Sequence, residues 1–508
     1  MCVFWVILYN MYSYVNRDIP RHPERKPEFT VKVTEKGLRS LFASCDDFQS
    51  RPLLISEDLH CTIMYFDGLV SSSQIGEAIL RPLLNLRVHD MGEKEFIAYL
   101  LTGALFCPTA KIRDNADDVV SDLSRGYCAL VFDGIEKALC LEAKSANVRS
   151  VSSPELEKSL KGGRDSFVEI LRTNTALVRR RIHSPRLKVV ESTVGRKSKT
   201  AVSVLFIEGV ADKEKVEELA KRLDGIDIDA VTTTMQLEGY IVDAKRSPFP
   251  QLLHTERPDR LAMYLLDGRI GILIDGIPVA LVLPVSFAEF MRVLSDSNMN
   301  YIFATALTLL RYLALFIGLY LPAIYVSVVT CHREMIPSRL LLSIIAAKAD
   351  VPFSPAVEIF GMLISFALLQ EAGLRLPNPV GDTVSIIGAL IVGQSAVDAH
   401  VASPIAIIVV AMSGIALYTM PSQDMGWALR ICRLALFAGA VWAGLYGVGI
   451  VSIFLLLHLC SLESFGVNYT DPAGERPGGL LRLLVKLPAE DDKLRDPSLN
   501  TPDKRRQK

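Results

Sequence analysis

Leu130-Val131-Phe132-Asp133-Gly134-Ile135 returns in kind as Ile272-Leu273-Ile274-Asp275-Gly276-Ile277, and this pair of stretches decides how the first half of the chain folds. Each is a run of strand-forming residues that ends on Asp-Gly and leads into Ala138-Leu139 or Ala280-Leu281. The pattern predicts a β-hairpin closed by Asp-Gly as a tight two-residue turn. A second landmark precedes each hairpin. Met64-Tyr65-Phe66-Asp67-Gly68 leads into a helical pattern over Ser71 to Leu84, and Leu205-Phe206-Ile207-Glu208-Gly209 leads into one over Asp212 to Leu223. Asp67 and Asp133 are 66 residues apart, Glu208 and Asp275 are 67, so type and spacing repeat together. The expectation is a duplication, with two related α/β subdomains each carrying a small sheet and packed helices. In the second, Val216, Leu219, Ala220 and Leu223 share a helical face that Asp212 caps. The aspartates read as turn residues rather than catalytic carboxylates.

Between the repeats, Arg164 to His183 reads as a helix with Phe167, Ile170, Leu171, Leu177, Val178 and Ile182 on one side. Arg179-Arg180-Arg181 falls in its last turn, where cations complement the helix dipole. A lipid-facing patch is the functional alternative, and a nucleic-acid patch lacks the aromatic platform it would need.

The charge distribution separates this soluble part from a long apolar region nearer the C-terminus. The 508 residues carry a net charge of −1, with 50% hydrophobic and 22% charged residues. A near-neutral chain offers no global field for nucleic acid. Charges run through residues 16 to 300 and resume after 460, whereas 301–460 is dominated by Leu, Ile, Ala, Val and Gly. The nine cysteines are scattered without a CxxC pair, which suits a reduced compartment better than a disulfide framework. Met1 to Val15 is apolar, too short to span, and lacks the basic start and cleavage site of a signal peptide. It reads as a variable extension, either an early start or an interfacial segment.

The apolar half reads as a polytopic α-helical membrane domain. Tyr312 to Thr330 is an uncharged 19-residue stretch containing Pro322, and Pro355 to Ala372 is a second span that carries Glu358. Val384 to Val397, interrupted by Asp398-Ala399-His400 and resumed over Val401 to Met420, reads as a re-entrant helix plus a span or as two tight crossings. Leu434 to Cys460 is long enough to span with tilt. Four full crossings would put both termini on one side, which suits the basic tail of Lys486, Lys493, Lys504, Arg505, Arg506 and Lys508. Ala435, Gly439, Ala443 and Gly447 recur every four positions as a ridge for helix packing, within one chain or between chains. Glu358, Gln394 and Asp398 are the candidate groups of a polar pathway, since ionisable residues at membrane depth face protein or water.

Thr193 to Thr200 (TVGRKSKT) lacks the first glycine of a phosphate loop, and Cys331-His332-Arg333-Glu334 is too compressed for one metal ion. Nothing assembles into a catalytic constellation, so no enzyme, cofactor or metal is expected.

Further motifs carry a resemblance. Ser247-Pro248-Phe249-Pro250-Gln251, followed by Thr255-Glu256-Arg257-Pro258-Asp259, resembles the SPFPQ…TERPD signature of the GerA spore germination family. Leu171 to Arg181 (LRTNTALVRRR), Glu334-Met335-Ile336-Pro337, Glu371-Ala372-Gly373, Val384 to Leu390 and Ser464-Phe465-Gly466-Val467 match in order over roughly residues 60 to 470. Glu463 and Asn468 depart from the family pattern. The resemblance implies two cytoplasmic α/β subdomains and a helical domain in the inner spore membrane. It also implies the A subunit of a nutrient-germinant receptor, acting with a transporter-like B subunit and a C-subunit lipoprotein. Such subunits are expected to homo-oligomerise among membrane lipids into a channel for monovalent cations. A stage V AF-type paralogue and a secondary transporter remain as alternatives. The expected layout is an extension over 1–30, subdomains over 31–155 and 156–297, a helical domain over 298–460 and a tail over 461–508.

Overall fold

The computed structural model describes residues 31–56, 59–85, 109–144, 162–375, 393–471 and 493–507, with isolated positions between them. The N-terminal extension and all of 376–392, including Val384 to Leu390, lie outside the described residues.

The first subdomain contains α1 (Glu35–Leu41), β1 (Phe48–Ser56) and β2 (Leu59–Phe66). A helical run, α2, follows in the consecutive segments Ser72–Gln74, Ile75–Leu80 and Arg81–Asn85, then β3 (Ala110–Arg113), α3 (Ala116–Ser124), β4 (Tyr127–Phe132) and β5 (Ala138–Glu142). The second contains α4 (Leu171–Arg179), β6 (Leu187–Val194), β7 (Thr200–Ile207), α5 (Lys213–Asp224) and α6 (Thr234–Ile241). It ends with β8 (Leu253–Thr255), α7 (Pro258–Leu266), β9 (Ile270–Ile274) and β10 (Ala280–Leu283). The strand orders are β1-β2-β4-β5-β3 and β6-β7-β9-β10-β8, the same antiparallel topology twice. The duplication is therefore a structural fact. TVGRKSKT spans the end of β6, the turn 195–199 and the first residue of β7.

The Asp-Gly hairpins form, but not through two-residue turns. Five residues connect each strand pair (133–137 and 275–279), and positive φ falls on the glycines alone, 84° at Gly134 and 80° at Gly276. The carboxylate of Asp275 has a use that the turn reading missed. It accepts the Leu171 amide at 3.1 Å, satisfying an orphan donor at the start of α4.

Helix α4 is shorter than expected and lies between the subdomains. Asn174 is fully buried and pins the incoming chain by exchanging hydrogen bonds with the Val168 backbone, accepting from its amide at 2.8 Å. Arg179 is buried too, with both guanidinium edges on Asp47 (Nη2 to Oδ1, 2.6 Å) and its plane 4.1 Å from the Phe66 ring. The patch reading of Arg179-Arg180-Arg181 is thus corrected at its first residue, which bridges the subdomains, and Arg181 pairs with Asp165. Cys45, Cys61, Cys128 and Cys140 of the first subdomain are buried free thiols. Burial pushes Cys61 and Cys140 up to about 12, which leaves them protonated and unreactive near neutrality.

The helical region follows α8 (Phe287–Met291) and a 3₁₀ turn (Leu294–Asn298). It comprises α9 (Tyr301–Thr330), α10 (Ser338–Lys348), α11 (Pro355–Arg375), α12 (Pro404–Tyr418) and α13 (Gln423–Ser461). Among the described residues, three helices are long and apolar enough to cross a membrane, namely α9, Pro355–Ala372 and α13, while α12 is a shorter apolar helix. Helix α13 is not one rod. Ala443 (φ −137°, ψ 21°) and Gly444 (φ 60°, ψ −139°) leave helical geometry. Its two ends meet neighbouring parts of one short segment, Asp424 at His254 (2.8 Å) and His458 at Ser247 (2.9 Å). A straight helix would hold those ends ~50 Å apart. The seven residues from Ser247 to His254 reach at most ~25 Å. So α13 is a hairpin of two arms, 423–442 and 445–461, and the single helix expected over Leu434 to Cys460 is corrected.

Glycine makes the fold-back possible. A Cβ on Gly439 would lie 2.8 Å from the Gly447 carbonyl oxygen, and one on Gly447 would collide with the Gly439 carbonyl. Gly439 and Gly447 therefore face each other across the arms, Ala443 sits at the break, and Ala435 is exposed. At the tip, a Cβ on Gly444 would meet Cys331 and His332 beyond the end of α9 (2.9 and 2.8 Å).

Two outcomes test this packing in the detergent-solubilised chain. Asp47→Ala strands a buried guanidinium and is expected to cost about 3–5 kcal/mol, against less than about 1 kcal/mol for Arg181→Gln at its half-exposed pair. Gly447→Ala is expected to cost about 1–3 kcal/mol by overpacking, whereas Gly449→Ala, with open space around it, leaves the thermal midpoint unchanged. Equal midpoints for the two glycine variants would refute the hairpin contact.

Candidate coupling interface between the soluble and helical regions

The segment Ser247 to Thr255 reaches β8 and receives both arms of α13. Ser247 ends a turn, its hydroxyl accepting the Phe249 amide (3.2 Å) and meeting His458 of the returning arm. Gln251 is held by two hydrogen bonds to the Ala244 backbone, 2.9 and 2.8 Å. That fixes its own carbonyl, which accepts the Ser464 hydroxyl at 2.9 Å. The Pro250 carbonyl accepts the buried Tyr469 hydroxyl at 2.7 Å. Ser464 belongs to, and Tyr469 directly follows, a short hairpin, β11 (Glu463–Ser464) and β12 (Val467–Asn468), that closes the returning arm. Asp243 accepts the Phe465 amide (2.9 Å), and the Phe465 ring lies under Arg222 at 4.4 Å. The signature is thus a socket for the end of the last helix. Its second half anchors the preceding loop: Arg257 pairs with Asp259 (2.6 Å) and donates to the Gly163 carbonyl (3.0 Å), and Pro258 opens α7.

The outgoing arm is held by charge. His254 on β8 lies between Asp424 in the first turn of α13 (2.8 Å) and Glu238 of α6 (3.4 Å). Burial pushes its imidazole down, but the two carboxylates outweigh burial and raise it to about 9. The first long apolar helix is tied in the same way, with Arg311 of α9 bidentate on Asp296 of the 3₁₀ turn (2.6 and 2.8 Å). The tail returns to this side as well. Arg495 donates to the Leu266 carbonyl (2.8 Å), Leu499 is buried, and Lys215 donates to the Leu499 carbonyl (3.2 Å).

Within the bundle a polar relay joins three helices. Pro322 has no amide proton, so the Gly318 carbonyl one turn earlier loses its helical partner. Ser413 of α12 donates to that carbonyl (2.8 Å), and Arg433 of α13 donates to Ser413 (3.3 Å). Gly318 also allows this approach, since a Cβ there would lie 2.9 Å from Leu417.

The sequence-derived residues lie at the opposite end of the helices. Glu358 is buried, accepting Lys348 of α10 (2.6 Å) and the backbone amide of Ser403, which caps α12. Its carboxylate therefore ties α10, α11 and α12 together. Gln394 and Asp398 are exposed on a helical segment, 393–398, that precedes α12. A Cβ on Gly393 would lie 3.8 Å from Ile407, so this segment sits by the α12 start. Sequence reasoning missed His254, Asp424, His458, Tyr469 and Arg433. Pro322 four residues after Gly318 was a legible sign of a freed carbonyl, whereas no spacing joins His254 to Asp424.

His254 carries a pH signature. Its proton is bound more tightly in the folded chain (about 9) than in the unfolded one (about 6.5), so its contribution to stability is complete below about pH 6.5 and lost as pH rises through about 9. The thermal midpoint of the full chain is expected to fall across that window, and His254→Gln to remove most of the slope. A slope unchanged in the variant would place the titration elsewhere.

Residues 36–498 match the family model described as Bacillus/Clostridium GerA spore germination protein. The chain is 37% identical over 454 residues to uncharacterized membrane protein YfkQ of Bacillus subtilis (strain 168), covering 89% of this chain and 87% of that one. It is 36% identical over 467 residues to spore germination protein KA of the same organism, covering 91% and 86%. Among solved structures, the N-terminal domain of the A subunit of the Bacillus megaterium spore germinant receptor GerK3 aligns with 29% identity and a TM-score of 0.40, over 52% of this chain and 99% of that one. With a family model covering nearly the whole chain, the protein belongs to the GerA spore germination family.

Proposed function

We propose that this chain is the A subunit of a spore nutrient-germinant receptor, and that it homo-oligomerises in the inner spore membrane into a cation channel whose opening triggers germination. The observation that carries the reading is the family match over residues 36–498, together with relatives named as spore germination proteins. A transporter-like B subunit and a C-subunit lipoprotein are its partners in this reading, and the two subdomains face the cytoplasm. The socket at Ser247 to Thr255 supports a role in gating, because both arms of α13 end on it and any movement of β8 is felt by both. Glu358, Gln394 and Asp398 line the ion path near the far end of the helices. No catalytic role is assigned.

The deciding experiment is nutrient-triggered potassium release from spores with and without this gene, across amino acids and sugars. Loss of release for a nutrient supports the receptor, and unchanged release throughout overturns it. At residue level, Glu358→Gln with Asp398→Asn is expected to lower potassium conductance of the reconstituted receptor by about tenfold, the scale of a ~1.4 kcal/mol change in barrier. Unchanged conductance would remove both acids from the path.

A further inference from the structure

Two arginines of the outgoing arm of α13 have no acid. Arg433 is 5% exposed, and its Nη1 reaches only the Ser413 hydroxyl while its Nε is buried without a hydrogen-bond partner. Arg430, one turn earlier, lies 4.4 Å over the Trp427 ring. Among the described residues no carboxylate forms an ion pair with either, and Asp424, the acid of the same arm, is taken by His254. Residues three apart share a helix face, so two uncompensated positive charges stand side by side in an otherwise apolar segment. Each is costly there unless an anion meets it.

Aromatic residues give the depth. Trp427 and Tyr418 are exposed (48% and 61%) at the base of the outgoing arm and the adjoining end of α12. Trp442 and Tyr446 are more exposed still (78% each) at the tip of the hairpin. Such rings collect at the two membrane–water boundaries. The fifteen residues from Trp427 to Trp442 span ~22 Å of helix. Arg430 and Arg433 lie ~5 and ~9 Å inside the base girdle, on the side of the soluble subdomains. From there the partly exposed Arg430 can extend back along its own apolar stem to headgroup level, while Arg433, held on Ser413, stays behind it.

We propose that Arg430 and Arg433, with Trp427 beside them, bind the phosphate of an anionic phospholipid in the leaflet facing the soluble subdomains. The planar guanidinium forks match phosphate oxygens, and an anionic leaflet concentrates such groups at this level. Bound there, the lipid compensates the charge that the Pro322–Gly318–Ser413 relay leaves unpaired, and so seals α12 against the outgoing arm. The proposal rests on the reading that the arms of α13 cross the membrane, but not on the receptor carrying ions.

The test is lipid retention by the full-length chain in detergent, read by native mass spectrometry after incubation with phosphatidylglycerol or phosphatidylcholine. The wild type is expected to retain phosphatidylglycerol in preference, and Arg430→Gln to lower that retention about fivefold. Arg433→Gln is expected to do the same. Arg430 is partly exposed, so its variant decides the matter should the buried one fail to fold. Arg196→Gln, in the exposed turn between β6 and β7, serves as the control and retains lipid like the wild type. Equal retention of phosphatidylcholine, displacement by inorganic phosphate, or an Arg430→Gln chain that retains lipid normally would each overturn the proposal. Potassium release is measured separately, so loss of either reading leaves the other standing.

Discussion

The contact on which the rest depends is the landing of both arms of α13 on the short segment from Ser247 to Thr255. An apolar helix has no polar surface with which to address a soluble domain, so the connection must be made at its ends. Here the outgoing arm uses a charged group, Asp424 on His254, and the returning arm uses His458 and then a small hairpin seated by Ser464, Phe465 and Tyr469. Two attachments to one short segment, at its turn and at β8, resist rotation as well as translation. The segment is rigid because Gln251 and Ser247 use their side chains to satisfy its own backbone, leaving the carbonyls of Pro250 and Gln251 aimed at the incoming hairpin. The prolines of the motif suit such a segment, since they fix φ and remove donors that would otherwise need partners.

The helical bundle solves a second problem, the placement of polar groups where water is scarce. A proline inside a helix leaves a carbonyl without its donor, and in this bundle a serine from a neighbouring helix supplies one. Placing a glycine at the freed carbonyl lets the serine come close enough. Glu358 answers the same demand at the far end, where one carboxylate meets an ammonium group and the amide at a helix start. In both places the polar atom joins helices that apolar side chains alone would leave free to slide. Arg433 stands apart, because its neighbours within the chain satisfy only part of its guanidinium.

The duplicated subdomains meet through α4, the linker helix of the second repeat. Arg179 is desolvated on all sides, yet Asp47 meets it along two edges and Phe66 covers its face, so the ion pair specifies one register between the sheets. A parallel bridge between Cys45 and Val189 continues the contact in the backbone.

Much of this was determined by the sequence itself. Two landmarks at matched spacing were enough to establish a duplication, because strand period and Asp-Gly chemistry are local properties that survive without knowledge of the partner strand. The apolar composition of 301–460 separated helical from soluble chain for the same reason, as solvent preference is a property of each residue. The family, too, was legible in the order of its motifs. What the tertiary structure alone decided were contacts between residues that no periodicity relates. Ala435, Gly439, Ala443 and Gly447 recur as a helical ridge would, and a break of two residues converts that stripe into two facing surfaces. Arg179 had the composition of a surface cation and became the buried joint between subdomains. His254 carried no signal at all, since an imidazole becomes a joint only when a carboxylate 170 residues away is brought to it. Local chemistry is written along the chain, but the pairing of distant charges exists only once the chain has folded back on itself.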